Sequence, residues 1–331
     1  MLCPICDRQG RRYGKDRKGI QRYFCRECYI TFTDPRPPRA FGNHYLTMEK
    51  AASAIKHLVE GSSIRSTCRL ARIGSETLLQ LLLKAGQGCE QLMDERVVAV
   101  PVSTIQCDEI WSFVYCKEKL RLKKYDRYED VGDCYTWTAI DPRSKLLLAY
   151  AVGKRDQSTA WRFLRKLYRA ATGPYQINTD GLGIYKTTIP LVFGGNQDHA
   201  QIIKIFGRPT DGEARYSPPE IINLHVQAAN GDPDLRIAST SHVERSNLTV
   251  RMMLRRFTRL TNGHSKSWKY HEAAIALLFA YYNFVRPHMT LTEKMEYRCT
   301  PAMQAGLTDH VWTVEELIRQ AIPEGEEARV S

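Results

Sequence analysis

Two sets of residues in this chain have the types and spacing to do chemistry. The first is Cys3-Pro4-Ile5-Cys6 and Cys25-Arg26-Glu27-Cys28, two Cys-x-x-Cys pairs with 18 residues between them. That is the spacing of a four-thiolate zinc site: each turn aims two sulfurs at one point, and the two turns complete a tetrahedron. A module of about 35 residues cannot bury a stabilising core, so the metal supplies most of its folding energy. The alternatives are disulfides or four unrelated thiols. The start, MLCPICDRQGRR, lacks the apolar run of a secretory leader, which favours zinc. Cys68, Cys89, Cys107, Cys116, Cys134 and Cys299 are scattered and read as ordinary buried thiols.

The second set is acidic. Asp108 lies inside an otherwise apolar strand pattern, VSTIQCDEIWSFVYC, where a carboxylate is costly to bury without a partner. Asp180 falls at the end of a strand just before Gly181-Leu182-Gly183, the edge where α/β sheets place ligands. Glu244 opens a helical stretch, SHVERSNLTVRMMLRRFTRL, whose other charges are all positive. Each acid also has a plain structural reading: a strand-end cap, a turn former, and a first-turn acid favoured by the helix dipole. Glu109 competes with Asp108, but neighbouring strand residues point to opposite faces, so only one of the two can face a site. Asp133 and Asp141 are better suited to turns.

Charge says what such a site would act on. Lys and Arg number 48 against 36 Asp and Glu, a net charge of +12. The excess is concentrated in two places. Residues 1–45 hold 10 basic residues against 4 acidic ones, and residues 241–270 hold 7 against Glu244 alone. Such a distribution points to a polyanion, and nucleic acid is the commonest one. Arg11, Arg12, Lys15, Arg17 and Lys18 interleave with aromatic residues on the cysteine module, as suits phosphate contact; a protein-docking ribbon is the alternative. Arg251 and Arg255 follow Glu244 at i+7 and i+11, on a stripe beside the apolar Val243, Val250, Leu254 and Phe257. With Arg256 they form a cation set fitted to a phosphodiester. No window approaches the length of a membrane span, so the protein is expected to be intracellular.

The elements that must position these residues follow from periodicity. DPRPP at 34–38 marks a stiff linker. Residues 47–60 read as a helix capped by Thr47 and closed by Gly61. A short helix from about Ser63, a break at Gly74 and a second, Leu-rich helix after Ser75 form a helix-turn-helix pattern. Its second helix would enter a DNA major groove, although any αα-hairpin can look alike. Beyond residue 101 the chain alternates strands and helices: a strand at 102–116, a charged loop KEKLRLKKYDRYED, and two strands joined by the Asp141-Pro142-Arg143-Ser144 turn. An amphipathic helix follows at 156–170, with Trp161, Leu164, Leu167 and Tyr168 as its buried stripe, and then a strand ending near Asp180. Three antiparallel strands, a helix and a parallel strand make a mixed α/β sheet. Residues 192–240 are turn-rich and read as an insertion with one possible strand, 200–206. Trp111 is either a base-stacking residue or core, and His288 either nears the site or caps a helix end.

Taken together these stretches resemble bacterial insertion-sequence transposases of the IS-one type. The match is carried by CPIC…CREC, QCDEIWSF at 106–113, NTDG at 178–181, STSHVERSNLTVRMMLRRFTRLTN at 239–262, YYNFVRPHMTL at 281–291 and TPAMQAGLTDHVWTVEEL at 300–317. The founding type is often made by a frameshift fusion, whereas this chain reads through in one frame.

The resemblance implies an RNase H-like catalytic domain with an Asp-Asp-Glu triad. Asp108, Asp180 and Glu244 would be its acids, 72 and 64 residues apart, and Arg251 the basic residue that follows the glutamate. It divides the chain into a zinc ribbon (1–38), a helix-turn-helix region (39–98), the catalytic domain (99–298) and a tail (299–331). The implied activity is cleavage at the ends of a mobile element, followed by joining of the 3′-hydroxyl to target DNA. Two Mg²⁺ (or Mn²⁺) ions would be held by the triad, with Asp108 between them; such ions prefer hard oxygen ligands. The implied partners are the terminal repeats and target DNA, with a homo-oligomer assembled on them in the bacterial cytoplasm at the nucleoid. The alternatives are an RNase H-like nuclease that does not transpose, and a DNA-binding regulator derived from a transposase.

Overall fold

The computed structural model describes residues 1–16, 20–33, 46–207, 221–258 and 261–322. The linker expected at 34–38 and the basic residues Arg17 and Lys18 lie outside these. Two compact units divide the chain between residues 51 and 52.

The first unit is an antiparallel ribbon of three strands, β1 (Arg11–Lys15), β2 (Gln21–Phe24) and β3 (Thr31–Thr33), in that order. Aromatic side chains take the place of a core: Tyr23 stacks on Phe32 and Tyr13 tilts against Phe24, with ring centroids 5.8 and 5.6 Å apart. Gly10 is required here, since a Cβ would lie 2.5 Å from the Phe32 ring.

The chain then enters α1 (Met48–Val59), whose first turn is capped by Thr47 Oγ1 accepting from Lys50 N at 3.3 Å. The second unit continues with α2 (Ile64–Ala71) and α3 (Ser75–Arg96). Ser63 caps α2, and Arg72 ends it in the left-handed region before Gly74. The remaining elements are β4 (Val100–Pro101), β5 (Thr104–Val114), α4 (Glu118–Lys124), β6 (Gly132–Ile140), β7 (Leu147–Gly153), α5 (Gln157–Ala170), β8 (Ala171–Thr172), β9 (Gln176–Asp180), α6 (Gly183–Phe193), β10 (His199–Phe206), β11 (Ile221–Asn230), α7 (Ser241–Met253), α8 (Trp268–Ala280), α9 (Met289–Met295), α10 (Pro301–Gln304) and α11 (Val314–Ala321).

Six strands form the main sheet in the order β11-β10-β9-β5-β6-β7. β5, β6 and β7 form an antiparallel meander. After α5 the chain returns to lay β9 parallel to β5, and after α6 it lays β10 parallel to β9. β11 closes the edge antiparallel to β10. Helices flank both faces. Trp137 of β6 packs between Phe163 of α5 and Tyr185 of α6, while Thr138, its neighbour on β6, meets Asn247 of α7 on the other side. The mixed sheet expected from sequence is present, and it has the RNase H-like arrangement.

Several local expectations change. Residues 192–240 read as an insertion with one possible strand at 200–206; that strand is present over 199–206 and, with 221–230, belongs to the main sheet. The charged segment after β5 contains the short helix α4 rather than an open loop. On α5 the buried stripe runs through Ala160, Phe163, Leu164 and Leu167, leaving Trp161 and Tyr168 39% and 58% exposed. The basic helix ends at Met253, and Leu254 is extended, so Arg255 does not continue the Glu244–Arg251 stripe. α3 is core for most of its length: Leu78, Leu81, Leu82, Ala85, Cys89 and Leu92 are buried. Gly86 lets α8 approach so closely that a Cβ would lie 2.4 Å from Ala273 Cα. Among the described residues no helix is long and apolar enough to cross a membrane.

Candidate active site

Register alone brings the acids into line. β5 and β9 pair through Gln106 and Asn178, and two residues further along each strand stand Asp108 and Asp180. Asp180 in turn faces Ile202 of β10, with Lys204 two residues beyond. Side chains in register share a face and every second residue returns to it, so Asp108, Asp180 and Lys204 project from one side of the sheet. α7 lies on that side. Its N-terminus is pinned to β5 because Gln106 Oε1 accepts from the backbone N–H groups of His242 (2.8 Å) and Val243 (3.1 Å), which sets Glu244 over the strand ends. Asp108, Asp180 and Glu244 thus line one cleft of about 460 Å³, together with Arg155, Lys204 and the Gly181-Leu182-Gly183 turn.

Their environments differ. Asp108 Oδ2 accepts from Asn247 Nδ2 at 2.7 Å, and Thr138 Oγ1 lies 3.3 Å from Asn247 Oδ1. Burial, with the charges of Asp180 and Glu244 adding to it, raises Asp108 to about 6. Asp180 caps its own turn, accepting from Leu182 N at 3.0 Å. Glu244 is 41% exposed along its side chain; its Oε1 accepts from Thr240 Oγ1 at 2.5 Å and pairs with the Lys204 ammonium.

Glu109 is closer to the site than strand alternation predicted. Oxygens of Asp108, Glu109 and Asp180 all lie within 4.8 Å of one another. The two faces meet here because β9 stops at Asp180, so carboxylates from either side of β5 can approach it past the strand end. Both Glu109 oxygens are already engaged. Oε1 accepts from Tyr185 Oη at 2.5 Å, and Oε2 from Arg155 Nε and Nη2 at 3.2 and 3.0 Å. Burial and the Asp180 charge raise Glu109 to about 7. Arg155 Nη2 also lies 3.6 Å from Asp180 Oδ2. Hard oxygen donors crowded at raised pKa suit a divalent cation, which relieves the repulsion that protons otherwise relieve.

Other candidates fall elsewhere. Arg251 and Arg255 are not among the residues lining the acid cleft. The Arg256 guanidinium donates to Ser265 Oγ at 3.2 Å, burial lowers it to about 10, and it does not line the acid cleft. His288 sits at the N-cap position of α9 without a side-chain capping bond, and Trp111 packs on Phe113 with centroids 5.7 Å apart; neither lines the cleft. Asp141 is a turn former, accepting from Arg143 N, Ser144 N and Ser144 Oγ.

In the ribbon, sulfurs of Cys3, Cys6, Cys25 and Cys28 lie within 4.8 Å of one another, and all four are free. Backbone N–H donors from Cys28 and Glu27 help bring the Cys25 thiol down to about 7, while neighbouring sulfurs and burial push Cys28 up to about 12. Four thiols at one point fit a tetrahedral zinc ion. Arg11, Arg12 and Lys15 stand exposed on β1.

Sequence comparison agrees with the fold. Residues 130–208 match the family model DDE_Tnp_IS240, a DDE domain. The matched stretch runs from β6 through β10, so it contains Asp180 but neither Asp108 nor Glu244. This stretch of the chain is thus similar to a DDE domain of the insertion-sequence transposase kind. No curated protein matches the chain.

Proposed function

We propose that this protein is a DNA transposase that cleaves the ends of an insertion sequence and joins the freed 3′-hydroxyl to target DNA. The observation that carries the reading is the cleft shared by Asp108, Asp180 and Glu244, which come from a central strand, a strand end and a distant helix. In it these three acids would hold Mg²⁺ or Mn²⁺. Bound divalent ions supply Lewis acidity to the attacking and leaving oxygens of a phosphodiester. The residues around them do the positioning. Asn247 fixes the Asp108 carboxylate, Gln106 anchors the helix that carries Glu244, and Tyr185 with Arg155 holds Glu109 behind the site.

DNA recognition is assigned to the zinc-pinned ribbon through Arg11, Arg12 and Lys15, and to Arg65, Arg69 and Arg72 of the α2 region, which are exposed. α3, the second helix of the helix-turn-helix pattern, spends its apolar face on packing, so its exposed polar face, from Ser75 and Glu76 to Lys84, is what a groove would meet. A homo-oligomer on paired ends completes the proposal.

The test uses the purified protein, DNA carrying the element's terminal repeats, and Mg²⁺. The wild type should nick and join. Asp108→Asn should bind the same DNA yet do neither, and strand transfer at the wild-type rate by that variant refutes the assignment.

A further inference from the structure

Among the residues lining the acid cleft are three carboxylates and two cations, Arg155 and Lys204. The two cations are held very differently. Arg155 is tethered: it donates twice to Glu109, and its guanidinium lies over the Tyr135 ring, 5.7 Å from the centroid. Lys204 has one ionic contact among the described residues, Glu244 Oε1. It projects from β10 on a flexible stem, and its side chain is 26% exposed against 41% for Glu244. An ion pair so open to water is weak. Thr240 donates to the same Glu244 oxygen, so the carboxylate keeps a fixed orientation if the ammonium leaves.

We infer that Lys204 is an exchangeable counterion: it neutralises Glu244 while no divalent ion is bound, and it is released to a DNA phosphate when the ion arrives. The inference rests on the metal-dependent reading above. It follows from charge and geometry. A divalent ion at the carboxylates repels the ammonium and takes its partner, and the nearest new partner is a phosphate of the strand lying in the same cleft. Lys204 would then act twice, first compensating the Glu244 charge in the empty site, where Arg155 lies 3.6 Å from Asp180, and then holding substrate once the site is loaded. Arg155, committed to Glu109, stays in place.

The experiment measures Mn²⁺ affinity by calorimetry on the zinc-loaded full chain at pH 7.5 without DNA, in wild type, Lys204→Gln, Lys204→Met, Lys204→Arg and Asp108→Asn, each confirmed as folded by thermal melting. Loss of the competing ammonium should tighten Mn²⁺ binding in the Gln and Met variants by about fivefold, the scale of one exposed ion pair. Lys204→Arg should remain near wild type. With Ca²⁺ present, the Gln and Met variants should bind terminal-repeat DNA less tightly. Unchanged or weaker Mn²⁺ binding in both neutral variants, with binding still abolished by Asp108→Asn, overturns the counterion role alone. Mn²⁺ binding that Asp108→Asn leaves intact overturns the metal-site reading, and the counterion role with it.

Discussion

Replacing Asp108 with Asn should stabilise the metal-free protein near neutral pH, by an amount that grows with pH in a defined window. The Asp108 carboxyl is raised from 3.8 to about 6 by burial and by the charges of Asp180 and Glu244. Between roughly pH 4 and pH 6 the folded state therefore keeps a proton that the unfolded chain has released, so stability falls as pH rises through that window. Above it the full penalty is present, and a shift of about two units corresponds to roughly 3 kcal/mol. An Asn at 108 has no charge to bury, and its carbonyl can still accept from Asn247 Nδ2. It also removes one of the charges that raise Glu109, which acts in the same direction. All five tryptophans lie beyond residue 110, so their fluorescence during urea unfolding reports the unit that holds the cleft. At pH 7.5 in chelator the variant should be more stable by about 2–3 kcal/mol, with the gain vanishing below pH 4. Mg²⁺ at 100 times its Kd should add about 2.7 kcal/mol to the wild type and little to the variant. A variant less stable than wild type in chelator, or a gain independent of pH, refutes the reasoning.

Three further outcomes test the scaffold. Gly88→Ala places a Cβ 1.8 Å from the Ala321 carbonyl oxygen; since backbone cannot yield as a side chain can, urea unfolding should show a loss of about 1–3 kcal/mol. Gly74→Ala, where the nearest atom is 3.8 Å away, meets no clash and should cost no more than about 1 kcal/mol, the preference of an N-cap position for Gly over Ala. Cys25→Ser should reduce zinc from one ion per chain to none by metal analysis, with loss of DNA affinity. Full zinc occupancy in that variant would sink the four-thiolate assignment.

Much of the sheet was readable one strand at a time, because β5 alternates and β9 ends on a turn sequence. What a linear pattern cannot supply is pairing. β10 looks like an isolated strand in a turn-rich stretch until its register with β9 places Ile202 beside Asp180. The phase of α5 was misjudged for a related reason: Trp161 and Tyr168 are large and apolar enough to suggest core, yet Phe163 is the residue that meets Trp137. Helix α7 stops at Met253 for reasons that lie in the fold, since Leu254 must turn inward and no proline or glycine announces the stop.

At the site, the acids were visible because a carboxylate in an apolar setting is conspicuous, and that criterion also explains what was missed. Lys204 stands in AQIIKIF as a lone charge in an apolar strand, the same signal that singles out Asp108. Asn247 follows Glu244 by three residues, a spacing that places both on neighbouring positions of one helix face. Glu109 was set aside by strand alternation, a rule that holds along a strand but not at the point where the neighbouring strand ends. Arg155 could not have been found without it, because its place is determined by Glu109. The cleft is thus more than a set of acids. Each carboxylate has a partner that either fixes it, as Asn247 fixes Asp108, or can be exchanged, as Lys204 can at Glu244, and that difference decides which groups are free to meet a metal ion and which to meet DNA.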